Sequence, residues 1–245
     1  MKLEYLVEYE FPEIKTRTVK RAPPDHYFQG MVDSGKDAYI PPDANITLPR
    51  VMRNKKVRHF GTGSYASTYG HQDNPHDIRK LSLKQQVRDY DGFWTFILAL
   101  SRHEDNANPY FPRFRSITNY EGAKDQGSYS VQMERLYSIE SLKSREIEAL
   151  ISNIYGMDNW KRIILMLDSD AMTVSGEPII KKFTRAIRNT FHVMKYMDLI
   201  IDEHMRSAVQ FITSIPGGHM DIHPANIMIR NTPYGKQLVF SDPKG

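Results

Sequence analysis

Three side chains in the C-terminal stretch could do chemistry together. Asp221 is a carboxylate that follows Gly217-Gly218-His219-Met220, and Asn226 is a carboxamide five residues on. Asp242 is a second carboxylate, reached through Ile227-Met228-Ile229-Arg230, a turn, and Lys236-Gln237-Leu238-Val239-Phe240. A carboxylate on a loop can take or orient the proton of an attacking hydroxyl. A carboxamide and a second carboxylate offer the oxygen ligands that Mg2+ takes beside a polyphosphate. The plainer alternative is an Asx turn after Gly217-Gly218, built from the same residues. The choice depends on whether the upstream chain supplies the rest of a nucleotide site.

Several upstream stretches could. Gly61-Thr62-Gly63-Ser64-Tyr65-Ala66 reads as a hairpin tip. Its paired glycines let backbone N–H groups approach phosphate oxygens, and Ala66 keeps the loop small. Asp77 to Leu83 reads as the next strand. Strand residues alternate faces, so Ile78 and Lys80 share one face and Asp77 and Arg79 the other. Beside a base the inward neighbour should be apolar, which favours Lys80 as the phosphate-contacting cation and keeps Arg79 as second choice. Tyr129 to Met133 reads as a strand running into Glu134-Arg135-Leu136, whose backbone could meet an adenine edge.

Between and after these pieces, periodicity places helices. An apolar stripe from Val87 to Leu100 predicts a helix over 84–103, with Asp89 and Asp91 near its start as capping residues. Helices are also expected over 139–154, starting near Ser138, and over 157–167. A third runs from Pro178 to Thr213 with a break near Asp202-Glu203. The first fifty residues differ: Leu3, Tyr5, Val7, Tyr9 and Phe11 alternate like a half-buried strand, and prolines punctuate the remainder. This extension is expected to add one hairpin.

Composition sets the bounds. With 245 residues, 40% hydrophobic and 11% aromatic, the chain can hold one large domain or two modest lobes. The absence of cysteine excludes a disulfide framework and thiolate metal sites. A net charge of +4 suits an anionic ligand and falls short of a nucleic-acid footprint. Glu4 interrupts any signal-peptide core, and no apolar run is long enough to span a membrane. The sequence therefore reads as soluble and cytoplasmic.

Taken in order, these motifs resemble the protein-kinase-like superfamily. His219-Met220-Asp221-Ile222-His223-Pro224-Ala225-Asn226 is similar to its catalytic loop, Ser241-Asp242-Pro243 to its D-F-G, and Met133-Glu134-Arg135-Leu136 to its gatekeeper and hinge. The resemblance implies an α+β, two-lobed fold. Residues 1–50 would be the extension, 51–133 the N-lobe, 134–137 the hinge and 138–245 a shortened helical C-lobe. It implies ATP and Mg2+ as cofactors, with Asp221 orienting the hydroxyl and Asn226 and Asp242 holding the metal. Lys80 would bind the α- and β-phosphates under residues 61–66, and Ile78, Met133, Glu134 and Leu136 would line the base.

The departures bear on the acceptor. Met220 stands where many kinases have an arginine that reads a phosphorylated activation loop. Pro243 replaces the phenylalanine of D-F-G and restricts any flip of Asp242. His223 followed by Pro224 is similar to aminoglycoside phosphotransferases. The compact pattern over 219–243 also resembles early protein kinases of lytic podophages, which act on host proteins in the host cytoplasm. The sequence stops three residues after Asp242, where the family continues with a peptide-seating segment. A serine/threonine protein kinase acting on a host or partner protein is the expectation. A small-molecule kinase and a pseudokinase-like module that captures a partner are the alternatives.

Overall fold

A computed structural model describes residues 15–19, 57–62, 66–71, 74–82, 91–103, 107–120, 128–170 and 177–245. The chain divides into two compact units, one drawn from Met1–Gln86 and Arg113–Glu134, the other from Val87–Pro112 and Arg135–Gly245. The helix that follows the lysine-bearing strand in sequence thus belongs to the second unit.

The first unit is a six-stranded sheet. Its strands are β1 (Lys15–Val19), β2 (Val57–Thr62), β3 (Ala66–His71), β4 (Asn74–Ser82), β5 (Phe114–Tyr120) and β6 (Ser128–Glu134). They lie in the order β1-β5-β6-β4-β3-β2. All neighbours are antiparallel except β1, which runs parallel to β5. Lys15-Thr16-Arg17-Thr18-Val19 alternates charge with threonine, so apolar periodicity gives no notice of this strand. The strand expected over residues 3–11 lies outside the described residues.

Hairpin geometry also departs from expectation. β4 begins at Asn74, inside the stretch Asp73-Asn74-Pro75 expected as a turn, and the β3–β4 register shifts between Gly70 and His71. Pro75 is exposed near the start of the strand, where a missing N–H is tolerated. A second shift, between His59 and Gly61, makes Phe60 a bulge. Its ring lies over Gly70, where any Cβ would collide with it.

The second unit combines five helices with a small antiparallel sheet among its described residues. The helices are α1 (Gly92–Ser101), α2 (Ser144–Ile154), α3 (Met157–Asp170), α4 (Ile179–Val193) and α5 (Glu203–Ser214). The strands are β7 (Tyr137–Ser138), β8 (Ile227–Thr232) and β9 (Gly235–Phe240), in that order. Ile139, Ile151, Ile163, Phe183, Ile187, Val209, Ile212 and Phe240 are fully buried and form its core. No helix among the described residues is long and apolar enough to cross a membrane.

Caps fix the helix starts. The Asp91 carboxylate accepts the Trp94 N–H and opens α1, and Asp202 accepts the Met205 N–H and opens α5. The helix expected over 139–154 is two pieces. A 3-10 turn at Ile139–Ser141 is capped by Ser138, and α2 starts afresh after Lys143, whose N–H donates to the Glu146 carboxylate. The helix expected from Pro178 to Thr213 also divides. Met194 takes a left-handed conformation (φ 53°) that ends α4, and a 3-10 turn at Met197–Leu199 precedes α5.

Residues 108–112 are tied into the second unit by polar contacts. The buried Arg230 guanidinium donates to the Pro109 carbonyl at 2.8 Å and to the Phe111 carbonyl at 2.7 Å. The Tyr110 hydroxyl donates to Asp202 at 2.8 Å, and the Phe240 N–H donates to the Tyr110 carbonyl at 2.9 Å. Burial, then the Asp202 charge, push the Tyr110 phenol well above its ordinary pKa.

Candidate active site

The loop between α5 and β8 is set by two glycines. Gly217 and Gly218 both have positive φ (75° and 63°), a conformation that disfavours residues with a Cβ. After this reversal residues 219–221 run antiparallel to 243–245. His219 and Gly245 exchange N–H···O=C bonds at 3.1 and 2.9 Å, and the Asp221 N–H donates to the Pro243 carbonyl at 3.0 Å. Asp221 thus ends one arm of this short ribbon, and Asp242 immediately precedes the other.

Glycine also makes room for this ribbon. A Cβ on Gly92, the first residue of α1, would meet the Lys244 backbone, and one on Gly218 would lie 2.7 Å from the Gly245 oxygen. Lys244 is itself buried, 5% exposed. Its ammonium donates to the Ile215 carbonyl at 3.1 Å and lies 3.8 Å from the Met220 sulfur. Burial lowers its pKa from the ordinary lysine value.

Asn226 is fastened to Asp221. Its Nδ2 donates to the Asp221 backbone carbonyl at 2.9 Å and to carboxylate Oδ2 at 3.0 Å. The same nitrogen lies 2.9 Å from His223 Nε2, which is 3.5 Å from Asp221 Oδ2. The turn closes with Asn226 and Ile227 N–H groups donating to the His223 carbonyl. At the far end of the β8–β9 hairpin, the Ser241 N–H donates to the Asn226 carbonyl at 3.0 Å. That bond brings the residue before Asp242 back to Asn226, so the hairpin returns one candidate ligand to the other.

The donor set fits a hard divalent cation. With Nδ2 committed to Asp221, the amide oxygen is the Asn226 atom left to act as a metal ligand, and Asp242 would supply a carboxylate. No group of three or more His, Asp or Glu side chains gathers among the described residues. Mg2+ on two side-chain oxygens would complete its shell with water and phosphate oxygens, as this cation does at nucleotide sites.

In the first unit, register decides which candidates share a face. Thr68, Lys80 and Val131 are cross-strand neighbours, as are Gly70, Ile78 and Met133, and Ala66 pairs with Ser82. Ala66, Ile78, Lys80 and Met133 therefore lie on one face of the sheet. Arg79 lies on the other face with Tyr69 and Gln132. So does Asp77, contacted by Arg115 at 3.4 Å and Gln132 at 3.3 Å. Gly61 and Thr62 end β2, pairing with Thr68 and Ser67. Gly63, Ser64 and Tyr65 lie outside the described residues.

Glu134 and Leu136 are both buried. The Glu134 N–H donates to the Arg113 carbonyl at 2.9 Å, and its carboxylate accepts the Arg113 N–H at 2.8 Å. This double clasp fixes the end of β6 and takes up one of the backbone donors expected to meet an adenine edge. Sequence reasoning missed Lys244 altogether, since nothing in Asp242-Pro243-Lys244 signals that the lysine is buried.

No protein-family model matches this chain. No curated protein matches it either. Among solved structures, the GDP and kanamycin complex of APH(2")-IIia aligns over 89% of this chain and 73% of its own, with a TM-score of 0.35 and 15% identity. The streptomycin-ATP-APH(2")-IIa ternary complex aligns over 77% of this chain and 65% of its own, with a TM-score of 0.29 and 10% identity.

Proposed function

We propose that the protein is an ATP- and Mg2+-dependent phosphotransferase acting on a hydroxyl acceptor. The observation that carries this reading is the fastening of Asn226 to both Asp221 and the strand end that bears Asp242. A plain Asx turn needs the first contact only. The second is what a site needs if a base and two metal ligands are to keep fixed separations.

The roles follow from the chemistry of each group. Asp221, part-exposed on its loop, accepts or orients the acceptor hydroxyl's proton. Asn226 and Asp242 hold Mg2+, which when bound neutralises charge on the phosphates. In the first unit Lys80 contacts the α- and β-phosphates, residues 61–66 cover them, and Ile78 and Met133 present apolar surface to the base. With the Glu134 N–H committed to Arg113, the Glu134 carbonyl and the Leu136 backbone would meet its edge.

The acceptor we favour is a serine or threonine hydroxyl of a partner or host protein. Pro216 to His219 are all exposed beside Asp221, which suits a large acceptor. A small-molecule hydroxyl is the second reading, supported by His223-Pro224 and by the contact of His223 with Asn226. Labelled ATP and Mg2+, with cell extract or with candidate small hydroxyl compounds, separate the two. Protein-bound label that disappears in Asp221→Ala and Asp242→Ala supports the first reading, and label on a small compound supports the second. Failure to label any acceptor, with no turnover of ATP, would overturn both.

A further inference from the structure

We propose that Lys244 is a positioning residue, one that sets the Asp242 carboxylate relative to Asp221 from beneath the ribbon. The inference rests on the phosphotransferase reading and adds a residue that no part of the nucleotide chemistry calls for. Lys244 is two residues from Asp242 and forms a bridge with Met220, the residue before Asp221. Its side chain runs into the second unit and ends on the carbonyl of Ile215, the C-cap of α5. An ammonium there also meets the negative end of the helix dipole.

The partners are too few for a stabilising role to account for it. Removing an ammonium from water is costly unless several acceptors replace the lost hydration. The described contacts of Lys244 are one carbonyl and one thioether sulfur. A methionine would fill the same space with no charge to desolvate. What a methionine cannot do is hold the Ile215 carbonyl, and with it the backbone position from which Asp242 projects. Gly92 and Gly218 admit this backbone closely on two sides, and the lysine tether fixes how far the segment slides between them.

The test compares Lys244→Met and Lys244→Arg with the unaltered chain. Calorimetric titration with ATP across Mg2+ concentrations gives the metal midpoint, ATP hydrolysis gives turnover, and thermal unfolding gives stability. Lys244→Met is expected to keep or raise the unfolding temperature, to bind ATP unchanged without metal, and to need about tenfold more Mg2+. Turnover should fall about as much, with Lys244→Arg close to the unaltered protein. Should Lys244→Met not fold, Lys244→Gln keeps an N–H donor on a shorter stem and is expected to show the same Mg2+ shift. An unchanged Mg2+ midpoint in the folded variant overturns the positioning role while leaving the phosphotransferase reading intact. Absence of Mg2+-dependent ATP binding in the unaltered protein overturns both.

Discussion

Asn226 reaches Asp221 twice with one nitrogen, at the backbone carbonyl and at the carboxylate. The two bonds differ in what they do. The backbone bond closes the loop, whereas the carboxylate bond fixes the rotamer of the proposed base. Asn226→Ala removes both, along with a metal ligand. ATP turnover is expected to fall at least about 100-fold, in the range seen when a preorganised polar group is deleted from an active site. Stability should fall by about 1–3 kcal/mol, as for two net hydrogen bonds, one of them to a carboxylate. Denaturant unfolding beside the turnover assay checks both, and near-normal turnover would remove Asn226 from the site.

Register makes a prediction about the two neighbouring cations of β4. Lys80 lies on the face with Ile78 and Met133, and Arg79 on the other. Lys80→Ala should weaken ATP binding about tenfold or more, the scale of one charge-assisted phosphate contact. Arg79→Ala should change it less than about twofold. Calorimetry on both variants decides, and a larger loss for Arg79→Ala would reverse the assignment.

Asp202 serves two partners, the Met205 N–H that starts α5 and the buried Tyr110 hydroxyl. Asp202→Ala removes the cap and the acceptor of the Tyr110 O–H, for a loss of about 2–3 kcal/mol. Tyr110→Phe removes only the hydroxyl and should cost about 1 kcal/mol. Urea unfolding of the two variants and of the double variant measures the coupling, and equal losses for both single changes would contradict this division.

Alkaline pH gives the same region a second readout. The folded-state pKa of Tyr110 is raised above its ordinary value near 10, chiefly by burial and then by Asp202. Burial also raises that of Tyr155. Their stabilising contributions are thus fully present below pH 10. They decline as pH rises past 10, because the unfolded chain loses these protons first. Each tyrosine adds up to about 1.4 kcal/mol per pH unit to that decline. Urea midpoints measured from pH 9 to 11 should fall, and the fall should be shallower in Tyr110→Phe.

The glycines of the second unit can be ranked. Gly217 has positive φ but open space around its Cβ direction, so Gly217→Ala should cost about 1 kcal/mol from conformation alone. Gly218→Ala adds a collision with the Gly245 oxygen and should cost more. Gly92→Ala meets the Lys244 backbone instead, and overpacking there should cost about 1–3 kcal/mol. Thermal unfolding of the three variants tests the order, and a loss for Gly217→Ala equal to that for Gly218→Ala would contradict it.

Much of this architecture was legible because local chemistry announced it. Asp91 reads as a cap and is one, and Ser138 likewise starts its 3-10 turn. The apolar runs on either side of the turn at Tyr234 pair as the β8–β9 hairpin. The breaks were illegible for equally local reasons. Ser138, Ser141 and Ser144 are all plausible helix starts, so sequence cannot choose where α2 begins. α4 ends on a left-handed Met194, a role usually given to glycine, and no residue type marks the stop. Of the candidate site, spacing picks out Asp221, Asn226 and Asp242 as the residues to consider together. It does not show the Ser241 bond that returns one strand to the loop, nor the buried course of Lys244, because both depend on contacts across the fold.

The attachment of residues 108–112 bears on the order in which the chain acquires structure during synthesis. Their polar anchors, Asp202, Arg230 and the Phe240 N–H, lie 92 to 130 positions further along the sequence. Gly92 waits longer still for the Lys244 backbone. A ribosome that has just released residue 112 therefore displays Tyr110 and Phe111, both buried at completion, with none of these anchors yet made. Contacts of such separation close late and leave apolar surface open meanwhile. Residues 108–112 are thus a stretch of the nascent chain whose apolar side chains wait for the C-terminal residues before they can be buried.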